Sequence, residues 1–525
     1  MKLNKKFTGV LTLGLATMLS FTSCVGDLDV EPIDPSVNTP NNVLTGDDAF
    51  TKLLGKAYAG LAVSGHNGDD SDINGIDAGF GQYLRGLFNL QELPTDEAVM
   101  GWNDQTIKDL HGLQWGSSDV FVSAMFYRLT QQIAVCNEII RQLKATDKLD
   151  DAKKTQYIAE ARAIRDLSYL HGIDMFGGMP FATEDNAMTA LPGYKSRAEL
   201  YKWLTEEELP AVINDLPANP EKYRAGKGMA LMMLAKLYLN GKVYAGVNDY
   251  AKCVDVCKQI IDLGYQLESK ENWKNMFGAE NDKYLGVGHE IIFSVFQDHN
   301  YTQTYGGMTY IINAECGGNM DYKSLLGLGG SGWGGTRVTP EFADKFSASD
   351  VRYKFYTDGQ TKEITDIGTF TSGWAYTKFT NLKDDGTMIE NANSFPDTDF
   401  PMFRLADVYL MLAECQVVGG ATVNVNGHDG IWYFNQIRNR AGIAELQNVS
   451  AQNILDERAR ELSWECWRRS DLIRFNKFTN NYVWSYKGMN SNSGAAHNVD
   501  SKYALFPIPA KEISNNGNLQ QNPGY

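Results

Sequence analysis

Three carboxylates crowd one short segment: Glu92, Asp96 and Glu97 in Glu-Leu-Pro-Thr-Asp-Glu. Acid–base hydrolysis of a glycosidic bond needs two such groups, roughly 5.5 Å apart for retention or about 6.5–9.5 Å apart for inversion. Position along the chain does not set that distance, and acids beside a proline commonly cap helices or orient loops. A structural role is expected, with Glu97 as the residue to test for catalysis. The seven histidines (66, 111, 171, 289, 299, 428, 497) form no H-x-x-x-H pair, and there is neither a G-x-S-x-G elbow nor a Gly-Lys-Ser/Thr phosphate loop. Cys253 and Cys257 could seat two thiolates on one metal, but no His or second Cys pair is near, so they are expected to pack inside a helix pair. Gly327-Leu-Gly-Gly-Ser-Gly332 has the letters of a dinucleotide loop, yet no strand precedes it and Trp333-Gly-Gly follows, which rejects that site. Asp70-Ser-Asp-Ile-Asn-Gly75, with Asp77, resembles half of a calcium loop, but Gly81 stands where the bidentate glutamate belongs. A solvated turn is expected there, with calcium as the alternative. No metal site is assigned.

Aromatic residues in loops are the positive signal. Trp102 lies in Gly-Trp-Asn-Asp-Gln, Tyr301, Tyr305 and Tyr310 surround Gly306-Gly307, and Trp333 sits in a glycine-rich stretch. A sugar has apolar C–H faces and a polar rim, so a flat ring can cover the face while Asn, Asp or Arg bonds the hydroxyls. The competing reading is that these rings pack beneath their loops as a satellite core.

The elements that would hold these residues are mainly helical. Between residues 119 and 144, Met125, Leu129, Ile133, Cys136, Ile140 and Leu143 recur at intervals of three and four, one buried helical face, with Ser117 or Ser118 as N-cap. Further helices are expected at 154–176, stopped by Gly177, Gly178 and Pro180, and at 198–216. Residues 229–262 read as a helical hairpin of nearly tetratricopeptide length. Helices at 403–415 and 430–440 precede a charged helix at 454–475, where Asp456 with Arg460 and Glu465 with Arg469 have four-residue spacing. Between 267 and 399 the periodicity fades into glycines, asparagines and aromatics, with short strands such as 290–295. The fold class is thus mainly α, a tetratricopeptide-like helical-repeat scaffold carrying an irregular, loop-rich subdomain. Its parts are residues 43–266, 267–399 and 400–525.

With 525 residues, 43% of them apolar, the chain can bury a large core, and its formal charge of -16 repels polyphosphate, so nucleic acid is excluded as a partner. Residues 1–23 combine Lys2, Lys5 and Lys6 with an apolar run at 10–21 and small Thr22 and Ser23 before Cys24. That pattern predicts a lipoprotein signal peptide, with Cys24 carrying the lipid (palmitate and related acyl chains) and residues 24–42 forming an acid-, Pro- and Asn-rich tether.

The chain resembles the SusD/RagB family of outer-membrane nutrient-binding lipoproteins, nearly end to end. The resemblance is carried by Cys24 with Leu28-Asp-Val-Glu-Pro-Ile-Asp-Pro35, by Asn89-Leu-Gln-Glu-Leu-Pro-Thr-Asp-Glu97 and by Phe395-Pro-Asp-Thr-Asp-Phe-Pro-Met-Phe-Arg404. It continues in Arg458-Ala-Arg-Glu-Leu462, Arg468-Arg-Ser-Asp-Leu-Ile-Arg-Phe475, Phe506-Pro-Ile-Pro509 and Gln521-Asn-Pro-Gly-Tyr525. It implies display on the outer membrane at the cell surface, a SusC-like TonB-dependent transporter as partner, and capture of an oligosaccharide or polysaccharide without catalysis or cofactor. It is most similar to the starch-binding type, which implies a glucan-like ligand bound by Trp102, Tyr305, Trp333, Arg85 and one of Asn103, Asp104 and Gln105, Asn103 foremost. One further aromatic of that arc is Met100 here, which offers less flat area. Cys466 stands where members commonly have glycine, read as a change of packing. Peptide capture, as on the RagB side of the family, and glycoside hydrolysis are the rival readings.

Overall fold

The computed structural model describes residues 43–525 except 69, 188, 481–486 and 489–497. The expected signal peptide, Cys24 and the tether lie outside the described residues. The chain divides into two units, residues 1–50 and 51–525. Of the first, residues 43–50 are described and contain the start of α1 (Asp47–Ala62).

The second unit is mainly helical. After α2 (Tyr83–Gln91), β1 (Ala98–Met100) and α3 (Gln105–Gly112) comes α4 (Val120–Ala145), the longest helix among the described residues, which buries the whole predicted face from Met125 to Leu143. Its cap is Asp119 rather than either serine: the carboxylate, one atom longer in reach, accepts from the Phe121 and Val122 amides at 2.9 and 3.0 Å. α5 (Asp151–Met175) packs on α4, starting earlier than expected because Asp150 caps it, and ending where Gly177 turns left-handed at φ 73°.

The single helix expected at 198–216 is instead three pieces: Arg197–Lys202, a π-helical turn Trp203–Glu208, and Leu209–Asp215. Pro210 has no amide to donate and its ring would strike the carbonyl four residues back, so the turn before it widens. α6 (Lys227–Leu239) and α7 (Tyr250–Asp262) form the predicted hairpin, burying Cys253 and Cys257 at 4.0 Å as free thiols.

The loop-rich stretch contributes β2 (Ile291–Val295), α8 (Gly307–Ala314) and β3 (Thr336–Val338). β4 (Phe400–Arg404) then pairs antiparallel with β2, as β3 does with β1. The chain continues in α9 (Leu405–Val417), α10 (Gly430–Ala441), α11 (Ala451–Leu462) and α12 (Arg468–Arg474). α9 packs on both α10 and α7, joining successive helix pairs.

The expected helix at 454–475 is broken between α11 and α12, where Trp464 and Cys466 are left-handed at φ 60° and 67°. Glycine tolerates that conformation far better than any residue with a Cβ, which is why glycine suits position 466. Backbone rather than packing is the reason. The predicted four-residue ion pairs do not form. Asp456 takes Lys345 at 2.9 Å, Arg460 takes Glu457 at 2.5 Å, Glu465 takes Lys378 and Arg404 at 2.6 and 2.7 Å, and Arg469 faces Asp174 at 3.4 Å.

Glu457 and Glu465 belong to a buried lattice between the loop-rich stretch and the last helices. Arg404 meets Glu290 at 2.5 Å and Glu461 at 3.0 Å, Arg440 meets the same two carboxylates at 2.9 and 2.6 Å, and Arg352 meets Asp350, Glu457 and Glu461 at 2.8, 2.8 and 3.0 Å. Burial alone would raise the Glu457 carboxyl, but Arg352, then Arg460 and Arg438, hold it down at about 2.

Candidate functional site

The site begins with a short ladder. Ala98, Val99 and Met100 pair with Val338, Arg337 and Thr336, and the ladder extends one step further as the Gly101 amide donates to the Gly335 carbonyl at 3.0 Å. The His111 imidazole accepts from the Met100 amide at 3.0 Å; burial keeps this ring neutral, well below the usual histidine range. Past the ladder's end the strands diverge, each presenting a tryptophan. The Trp102 indole N–H donates to the Trp333 carbonyl at 3.1 Å, and the two rings lie 6.4 Å apart at 41°.

Glycine permits this approach. A Cβ on Gly335 would come within 2.5 Å of the Met100 sulfur and 2.8 Å of the Trp102 ring. The amides of Trp333, Gly334 and Gly335 donate to the carbonyls of Asn313, Cys316 and Ala314, each at 2.8 Å, so the loop caps the C-terminal end of α8. The glycines that imitate a dinucleotide loop also serve close backbone packing: a Cβ on Gly327 would come within 2.6 Å of the Asn381 carbonyl, and one on Gly332 would strike the Cys316 carbonyl. Met100 is itself buried under Gly335.

Two further rings continue the line. Tyr305, 43% exposed, lies 6.5 Å from Trp333 and 5.5 Å from Phe395. Trp102, Trp333 and Phe395 are half-buried. Four accessible rings from four loops therefore follow one another: Trp102, Trp333, Tyr305, Phe395. Asn103 is exposed beside the first of them. Tyr310 is buried beneath, its hydroxyl donating to Asn89 at 2.7 Å. Tyr301 is 82% exposed, and its amide belongs to a turn capped by Asp298.

Arg85 lies under the line, only 7% exposed, with its guanidinium over Tyr310 at 4.5 Å, Phe80 at 4.9 Å and Trp102 at 6.0 Å. It donates to the Tyr305 carbonyl at 3.2 Å. Burial depresses its pKa, partly offset by Tyr310, Asp77 and Asp104. Gln82 completes the support. Its amide donates to the Leu61 and Ala62 carbonyls at 2.9 and 3.1 Å and accepts from Arg85 and Gly307 at 2.9 and 2.8 Å, tying α2 to the loop that carries Tyr305.

The carboxylate cluster is elsewhere in character. Glu92 and Glu97 are 0% and 1% exposed and face each other. Burial, then the neighbouring Glu97, pushes Glu92 well above the ordinary range, and burial raises Glu97 to about 8. One Glu92 oxygen accepts from the Cys466 amide at 2.7 Å, and Asp96 takes both arms of Arg468 at 2.7 Å. Such buried, partnered groups cannot flank a polymer. In the calcium-like turn, Asp72 holds Arg128 at 2.6 Å, Asp77 accepts from the Phe80 amide at 3.1 Å and Asp70 from the Asn67 side chain at 2.9 Å.

Of the five expected ligand residues, Trp102, Trp333 and Tyr305 come together, Asn103 adjoins them and Arg85 lies below. Phe395 was missed as a ring of the site: it stands in Asn391-Ala-Asn-Ser-Phe395, with no glycine beside it. Asp298, His299 and Asp397 were also missed. They are the one group among the described residues whose potential ligand atoms lie within 4.8 Å of one another, but His299 Nδ1 is already bonded to Asp397 at 2.9 Å.

Residues 352–525 match the SusD family. The chain is 33% identical to the starch-binding protein SusD of Bacteroides thetaiotaomicron over 96% of both chains, and 26% identical to SusD-like protein P25 of Formosa agariphila over 77% of this chain and 80% of that one. Among solved structures, surface glycan-binding protein A of Bacteroides fluxus aligns with a TM-score of 0.69 at 22% identity, covering 92% of this chain and 100% of that one. Surface glycan-binding protein A of Bacteroides thetaiotaomicron in complex with laminarihexaose gives 0.66 at 19% identity, with 91% and 100% covered. The shared mainly helical fold and the one-third identity along nearly the whole length lead to one conclusion: the chain belongs to the SusD family.

Proposed function

We propose that the ring line captures a glucan-like oligosaccharide or polysaccharide at the cell surface, without cleaving it, and passes it to a partner TonB-dependent outer-membrane transporter. The observation that carries this reading is the accessible succession Trp102, Trp333, Tyr305, Phe395, long enough to cover the faces of consecutive sugars. Asn103 bonds hydroxyls at the rim, while Arg85 fixes the Tyr305 backbone and offers its charge from beneath. The starch-binding relative and the neighbour holding laminarihexaose support a glucose polymer as ligand. Because water competes for the hydroxyls on an open surface, the affinity is weak, on the order of micromolar to millimolar.

Cys24 carries the lipid that holds the protein to the outer membrane. Among the described residues no helix is long and apolar enough to cross a membrane. A Cys24→Ala protein should leave the membrane fraction; one that stays there overturns the anchor.

Isothermal titration with a glycan panel, on the soluble form beginning at residue 25, tests the binding. Glucans should bind, and Trp102→Ala and Tyr305→Ala should abolish or weaken the heat. Unchanged binding in both variants, or binding to protein digests and to no sugar, overturns the reading.

A further inference from the structure

A second pocket, of about 190 Å³, shares no residue with the ring line. It lies among the 3-10 turn Trp273–Phe277, residues 377–386 and Lys354, and four lysines line it: Lys274, Lys354, Lys378 and Lys383. Lys378 is accounted for. Its ammonium donates to Glu465 at 2.6 Å and to the Ser463 and Glu461 carbonyls at 2.7 and 3.1 Å, at the base of the pocket.

The other three are not. Among the described residues, no carboxylate, carbonyl or hydroxyl accepts from the ammonium of Lys274, Lys354 or Lys383. The nearby acids are committed elsewhere: Glu280 and Asp384 hold Lys283 at 2.9 and 3.3 Å, and Asp385 accepts from the Thr387 amide and hydroxyl at 2.9 and 2.7 Å. Lys383 feels Glu280 and Asp385 only through space. Lys354 is half-buried, and burial, then repulsion from Lys274, works against its charge.

Lys274 is exposed and Lys383 partly so, which leaves water to solvate them, but half-buried Lys354 is held beside Lys274 with no acid accepting from it, and that repulsion is an electrostatic cost. A bound anion would offset it. Lysine ammonium groups are point-charge donors suited to oxyanions, and Thr380 adds a hydroxyl to the wall. We propose that this pocket binds a compact oxyanion, a sulfate or phosphate group, either free or as an ester on a sugar. The volume admits such a group with part of one sugar.

Titration calorimetry of the purified protein at constant ionic strength, with sodium sulfate, sodium phosphate, glucose 6-sulfate and glucose 6-phosphate, tests this. Wild type should bind one anion per chain. Lys354→Gln and Lys274→Gln should each weaken binding about tenfold, with thermal melts confirming that both variants fold, whereas Trp102→Ala should leave it unchanged. Equal affinity for ions and esters supports a free anion, and esters binding about tenfold tighter support an anion carried on sugar. No anion binding by wild type, or lysine variants that fold and bind like wild type, overturns the proposal.

Discussion

Trp102 and Trp333, in the loops that flank opposite strands of one short ladder, are joined by an indole N–H to carbonyl hydrogen bond of 3.1 Å. The bond fixes one ring relative to the other before any ligand arrives, and preorganisation of this kind lowers the entropy cost of binding. Trp102→Phe keeps a flat face and loses the bond, while Trp102→Ala loses both. Calorimetry should rank glucan affinity as wild type, then Phe, then Ala, with Ala weaker than wild type by about tenfold or more. Equal affinities for the two variants would show that the ring itself contributes nothing.

Gly335→Ala attacks the same geometry without touching a ligand-facing ring. Its Cβ would meet the Met100 sulfur at 2.5 Å and the Trp102 ring at 2.8 Å. The expected outcome is a loss of about 1–3 kcal/mol in urea unfolding together with weaker glucan binding. A variant that kept wild-type affinity would separate the loop's packing from the arrangement of its rings.

Glu97 gives a pH test. Its folded carboxyl is raised from 4.5 to about 8, chiefly by burial. A raised acid contributes fully to stability below its unfolded value and loses that contribution as pH climbs through the folded one. Glu97→Gln should therefore be more stable than wild type at pH 8, by about 1 kcal/mol or more, and show no such advantage at pH 4. Its amide can donate to the neighbouring Glu92. Under the binding-only reading neither protein releases reducing ends from glucans. Release by wild type that is lost in Glu97→Gln would revive the hydrolase.

Glu461 accepts charge from Arg352, Arg404 and Arg440 at 3.0, 3.0 and 2.6 Å with no solvent exposure. Glu461→Gln leaves three buried guanidinium groups short of a counter-charge and should cost about 3–5 kcal/mol in chemical denaturation. The same lattice predicts acid sensitivity in wild type. Glu457 is depressed to about 2, so its contribution is present above the ordinary carboxylate range and disappears as pH falls toward 2.

Cys466 separates strain from packing. At φ 67° a Cβ is unfavourable, so Cys466→Gly should exceed Cys466→Ala in stability by about 1 kcal/mol, although both delete the thiol. Thermal melts of the two variants decide it, and equality would return the position to a packing explanation.

The sequence makes helices legible where one force dominates. The α4 stripe and the α6–α7 hairpin follow from apolar periodicity alone. It fails where a distant partner decides. Nothing local announces that Glu465 turns to Arg404, 61 positions away, and not to Arg469, or that Trp464 and Cys466 leave the helix for the left-handed region. The ring line was half legible: aromatic residues beside glycine identified Trp102, Tyr305 and Trp333. The depth of Arg85 and Tyr310 depends on how α2 meets α8, a contact spanning more than two hundred positions. Phe395 has no glycine beside it, so that criterion passes over it.

The interlocked charges behind the loops carry a wider consequence. Because Arg352, Arg404 and Arg440 bridge distant segments from buried positions, loosening any one segment would strand several ions at once. Such a foundation gives way all together or not at all. The rim is then free to be recut: swapping one ring for another, or lengthening a loop, would change what the surface presents without disturbing the frame, making this fold a ready chassis for designed glycan capture.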